Sequence, residues 1–129
     1  MAHASSSVTP TTGRVDNEND SPWLPVRSAT ARGFVRCAPE VVAALRDGAV
    51  PKGDVLAVAR IAGIQGAKQT PALLPLAHVI GMHGATVDLL VTDDGVEIEA
   101  TVRTADRTGV EMEALTAVSV AALAVVDMG

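Results

Sequence analysis

The sequence predicts an α+β fold, an antiparallel sheet with helices packed on one face, and three observations carry that expectation. Val96, Ile98, Ala100 and Val102 alternate with Glu97, Glu99, Thr101 and Arg103, the period-two pattern of a strand with one buried face. Asp93-Asp94-Gly95 stands just before them and is a turn signal, because Gly tolerates positive φ and Asp bonds its own backbone. Ala85 to Val91 then becomes the partner strand of a hairpin. Gly109 to Asp127 is apolar on nearly every side, as a well-buried helix is.

The earlier elements follow in order. Ala29, Ala31, Gly33 and Val35 alternate with Thr30, Arg32, Phe34 and Arg36, which predicts a first strand. Pro39 suits the first position of a helix, Val41, Val42, Ala44 and Leu45 give it an apolar stripe, and Gly48 ends it. After a loop from Ala49 to Gly53, Asp54 is an N-cap whose carboxylate accepts from unpaired amides at the start of a helix reaching about Lys68. Thr70-Pro71 starts a short helix that ends near Leu74. Strand, helices, strand, strand, helix are the first five elements of a ferredoxin-like unit, with the closing strand missing. The first strand then has an open edge, which invites pairing with another chain or covering by the tail. Residues 1–25 are rich in Ser, Thr, Asn, Asp and Pro without periodicity, so they read as a flexible N-terminal tail, tacked down at Trp23 and Leu24. Residues 26–129 are the α+β domain.

Composition narrows the function. The chain has 129 residues, enough for one modest core, and 48% are hydrophobic. Only 2% are aromatic, so the core must be built from Ala, Val, Leu and Ile, and stacking platforms for single-stranded nucleic acid are scarce. A formal net charge of −5 also weighs against nucleic acid while leaving room for a small phosphorylated ligand. Cys37 stands alone, which excludes an internal disulfide and fits a reducing compartment, and its bland reading is a small buried side chain. No apolar run reaches the length of a membrane span, and MAHASSS is not a secretory signal, so the expectation is a cytoplasmic chain.

Few residues could carry chemistry. Lys52-Gly53-Asp54 lies at a helix start, where unpaired amides and the helix dipole attract anions and a lysine adds a full charge. The bland reading is a capped turn with a solvated lysine. Arg60 and Lys68 are either phosphate ligands or the wet face of the following helix. His78, in Leu76-Ala77-His78, can act as acid or base near neutral pH, or be an exposed loop histidine. With His83 it forms only a weak zinc signal, so no metal is assigned. Glu111 and Glu113 fit the first turn of the last helix as plain dipole partners. Asp127 breaks that rule, since a carboxylate is disfavoured at a helix C-terminus, and this makes it a site candidate. Glu113 and Asp127 lie within about 40° on one helix face but about 21 Å apart along it, so one chain cannot bring them together.

KGDVLAVARIAGIQGAKQT (Lys52 to Thr70) and TGVEMEALTAVSVAALAVVDM (Thr108 to Met128) resemble the two signature stretches of the cyclic pyranopterin monophosphate synthase family, molybdenum cofactor biosynthesis protein C. LLPLAHV (Leu73 to Val79) resembles the family's segment ending Leu-Cys-His-Pro, with Ala77 in place of Cys and Val79 in place of Pro. The resemblance implies a lyase that converts a 3′,8-cyclised dihydroguanosine triphosphate to cyclic pyranopterin monophosphate and pyrophosphate. It also implies no organic cofactor, and a hexamer whose sites lie between subunits. By motif, Asp127 and Lys52 match the family's catalytic residues, and Leu76, Ala77, His78, Met112 and Glu113 match its substrate-binding segments. The family continues past Gly129 with a lysine, a last strand and a basic tail. The alternative expectation is therefore a catalytically weak homologue serving as a structural or regulatory partner of a complete subunit.

Overall fold

The computed structural model describes residues 6–10, 14–16, 26–48, 53–77, 82–105 and 109–128. In chain order the elements are β1 (Ser6–Pro10), β2 (Arg14–Asp16), β3 (Val26–Arg36), α1 (Pro39–Asp47), α2 (Val55–Lys68), α3 (Thr70–Leu73), β4 (Met82–Thr92), β5 (Gly95–Thr104) and α4 (Glu111–Met128). The three long strands run in the order β3-β5-β4, all antiparallel, with the helices on one face, as the sequence predicts. Alternation does the sorting: Ala29, Ala31 and Val35 of β3 and Val96, Ile98, Ala100 and Val102 of β5 are buried against the helices. Gly95 closes the hairpin where a side chain would collide with the carbonyl of Val35 on the neighbouring strand. Asp54 caps α2 as expected, its Oδ1 accepting from the Ala57 amide at 3.1 Å.

Two expectations change. β1 and β2 fall inside the stretch that composition marks as a tail, and both pair antiparallel with β3, opposite β5. An open strand edge offers a row of unsatisfied amides and carbonyls, and an extended Ser/Thr-rich segment satisfies them without needing an apolar face of its own. Covering by the tail, not by another chain, is what the edge shows. The second change is in α4. Its apolar sequence suggests burial all round, but only one face is buried, including Glu113, Ala117, Ala121 and Val125. Leu123 stays 66% exposed and Val126 44%. The sheet and α2 cover two sides of α4; no described element lies over the third.

The α2–α4 contact explains the scarcity of aromatics. A side chain built on Gly63 would lie 3.0 Å from the Ala117 carbonyl oxygen and 3.2 Å from Ala121 Cβ. One built on Gly66 would lie 2.8 Å from a methyl of Val120. Small residues let the two helices approach nearly backbone to backbone, and bulky core side chains would force them apart. Arg60 anchors α2 to the sheet, its Nε donating to the Val87 carbonyl at 2.9 Å.

Candidate functional site

The helix layer has two ends, and the candidate residues divide between them. α2 and α4 run antiparallel: α3 and the turn after it, at the C-terminal end of α2, meet the first turn of α4. The other end lies over the β4–β5 hairpin. There Arg46 of α1 pairs with Asp93 of the turn at 2.9 Å, and the Cys37 amide donates to the Asp94 carbonyl at 3.0 Å.

At the hairpin end, α2 begins and α4 finishes. Asp127 is exposed there in the last turn of α4. Gly53 and Asp54 form one wall of a recess of about 490 Å³ whose other wall is the end of α1, Leu45 to Gly48. Lys52, which precedes Gly53, lies outside the described residues. Cys37 is buried at this end, and burial pushes its thiol pKa up, which leaves it a poor nucleophile and supports its structural reading.

At the opposite end, Leu74, Pro75, Leu76, Ala77 and Met112 line an open apolar recess of about 470 Å³. Thus three of the residues singled out from sequence, Leu76, Ala77 and Met112, come together across 35 positions of chain. Leu76 is 92% exposed, an unusual position for a leucine. Glu113, one residue beyond Met112, points the other way and is only 3% exposed. Desolvation by burial raises its pKa above the ordinary glutamate value; its own backbone N–H pulls the other way, and the charge on Glu111 adds to the rise. A carboxyl held toward its neutral form can donate a hydrogen bond or exchange a proton near neutral pH. His78 follows Ala77 in the chain and lies outside the described residues, as does the side chain of His83.

This second end holds more polar groups than the sequence reading noticed. Among the described residues, the polar side chains classed as buried are Thr70, Thr104 and Glu113. All three lie here: Thr70 where α2 gives way to α3, Thr104 at the last position of β5, and Glu113 in the first turn of α4. Arg27 pairs with Thr104 in the sheet register and, by alternation with Ala29 and Ala31, faces the helices. Its Nε is enclosed and has no hydrogen-bond partner among the described residues. The signal was available in the sequence, since Arg27 extends the buried series Ala29, Ala31 and so places a charge on the apolar face of a strand. Among the described residues no three or more His, Cys, Asp or Glu side chains gather as metal ligands would, and no helix is long and apolar enough to cross a membrane.

The fold is thus a ferredoxin-like α+β domain with candidate residues at both ends of one helix layer. Residues 23–129 match the MoaC family, and the chain belongs to it. Over 102 residues it is 68% identical to a protein of Streptomyces coelicolor named cyclic pyranopterin monophosphate synthase, covering 79% of this chain and 60% of that one. A Nocardioides protein of the same name is 64% identical over 105 residues, covering 79% of this chain and 64% of its own length. A Mycobacterium tuberculosis protein named cyclic pyranopterin monophosphate synthase 2 is 56% identical over 102 residues, covering 79% and 61%. The chain therefore spans roughly three fifths of the length of these curated relatives.

Proposed function

We propose that this chain forms a site for the reaction its relatives are named for, the conversion of 3′,8-cyclised dihydroguanosine triphosphate to cyclic pyranopterin monophosphate with release of pyrophosphate. The observation that carries the reading is the joining of Leu76, Ala77 and Met112 in one recess, with the buried carboxyl of Glu113 next to Met112 in α4.

Each group has work suited to its surroundings. The apolar recess holds the ring system, and Glu113, held toward its neutral form, donates to a ring nitrogen or oxygen. His78 and Asp127 move protons as the purine ring opens and the pterin ring closes. Lys52, beside the start of α2, balances the charge on the phosphates as the bond from the α-phosphorus to pyrophosphate breaks. No organic cofactor is required by this chemistry, which is internal rearrangement and phosphate displacement.

The site is shared between subunits in this reading. Glu113 and Asp127 sit at opposite ends of α4, about 21 Å apart by helix rise, too far for one substrate of this size to touch both in one chain. A second copy laid across the helix layer would bring one end of each chain to the other and would cover Val58, Ile61, Leu123 and Val126, all exposed. A hexamer is one closed arrangement that satisfies this. The test is to supply the cyclised triphosphate and follow pyrophosphate and pterin product. Turnover supports the reading, and binding without any pyrophosphate release would overturn it.

A further inference from the structure

Arg27 has no part in that scheme, yet its placement is the least comfortable in the described structure. A guanidinium stays charged at any physiological pH. Here its Nε–H is enclosed at the end of β3 beside the buried Thr104, without a partner among the described residues. An enclosed donor left unsatisfied costs stability. A methionine or leucine at this position would extend the apolar row of Ala29 and Ala31 at no such cost. Features that break a local packing rule without a structural gain concentrate at functional sites.

The surroundings say what the donor waits for. The buried polar side chains among the described residues gather at this one end of an otherwise apolar core, and the recess of Leu76, Ala77 and Met112 opens at the same end. No carboxylate is a hydrogen-bond partner of the Arg27 Nε among the described residues, and the shift of Glu113 has no contribution from Arg27. What fits is an acceptor brought from outside. A phosphate oxygen suits the planar fork of a guanidinium best, and apolar walls strengthen the attraction by excluding water.

We propose that Arg27 is an anion-binding residue of the site, its enclosed Nε–H taking a phosphate oxygen of the bound nucleotide. The proposal rests on the reading above and adds to Lys52 a second cation at the opposite end of the helix layer. One lysine serves one phosphate poorly shared among three. A substrate bridging two subunits would meet Lys52 of one chain and Arg27 of the other.

The experiment measures GTP and inorganic pyrophosphate binding calorimetrically to the wild-type chain and to Arg27→Met, alongside thermal melting. The expected result is a roughly tenfold to hundredfold loss of affinity for both probes, the usual worth of a charge-assisted hydrogen bond, with a melting temperature unchanged or raised. A merely structural arginine would give the reverse, a lower melting temperature with affinity intact, and would overturn the proposal. Loss for GTP alone, with pyrophosphate binding untouched, would overturn the assignment to phosphate. If Arg27→Met does not fold, Arg27→Lys is read instead. It keeps the charge but lacks the Nε donor, so severalfold weaker pyrophosphate binding supports the proposal and wild-type affinity overturns it. Failure here is separable from failure of the functional reading: wild-type turnover with Arg27 variants binding normally removes Arg27 alone. No turnover and no probe binding by the wild type removes both.

Discussion

The two ends of the helix layer are built on opposite principles. At the end where α4 begins, polar side chains are enclosed: Glu113, Thr104 and Thr70 are buried and Arg27 is half-buried. At the hairpin end, the ionisable groups Asp127, Asp54 and Asp93 stand exposed on helix termini and a turn. Enclosure shifts the chemistry of a side chain, and burial raises the Glu113 pKa. Exposure leaves geometry and helix dipoles as the means of control. The lesson is that one end is suited to selecting a ligand and the other to acting on it once a second subunit brings the two together.

The largest expected effect is at the exposed end. Asp127→Asn removes a proton-transfer group while keeping shape, so turnover should fall on the order of 10²–10⁴-fold. The melting temperature should barely move, because an exposed terminal residue adds little packing. Steady-state assays with melting curves check both halves. Loss of stability with intact turnover would make the hairpin end structural.

Next is the hinge between the ends, the close α2–α4 contact. Gly63→Val drives a branched side chain against the Ala117 carbonyl and Val87, and overpacking of this kind costs about 1–3 kcal/mol. Denaturant titration reads that cost. Ligand binding should weaken as well, because both recesses are placed by these two helices. Full stability would mean that the helices separate freely.

The smallest effect has a definite sign. Glu113 holds its proton more tightly in the folded chain than in the unfolded one, so above the ordinary carboxylate pKa the native state binds more protons and its stability falls as pH rises. Glu113→Gln should therefore raise the melting temperature at pH 7, with the gain disappearing below about pH 4, where both states are protonated. Its affinity for the cyclised nucleotide should drop at the same time. A stability loss at pH 7 would mean that the carboxylate has a buried partner and that the contrast between the ends is weaker than drawn.

The hairpin and the helix limits were legible because their causes are local. Asp54, Gly48 and Asp93-Asp94-Gly95 each act within a few residues, and the alternation in β3 and β5 is intact. β1 and β2 were not legible, since three- and five-residue strands without alternation exist only because β3 offers them an edge. The motif residues Leu76, Ala77 and Met112 could be named from their stretches of sequence, yet their meeting in one recess depends on the antiparallel packing of α2 and α4. Thr104 and Arg27 escaped notice for a related reason. At a strand end the alternation continues but nothing in the sequence says whether a helix covers it; here the start of α4 does.

The claim that one site draws on both ends from different chains has a direct test. Glu113→Gln and Asp127→Asn chains, each inactive alone, are co-expressed and assayed for pyrophosphate release from the cyclised triphosphate. A shared site predicts recovered turnover in the mixture, because some interfaces then combine an intact Glu113 from one chain with an intact Asp127 from another. A mixture as inactive as its two components would place both residues in separate sites and contradict the account.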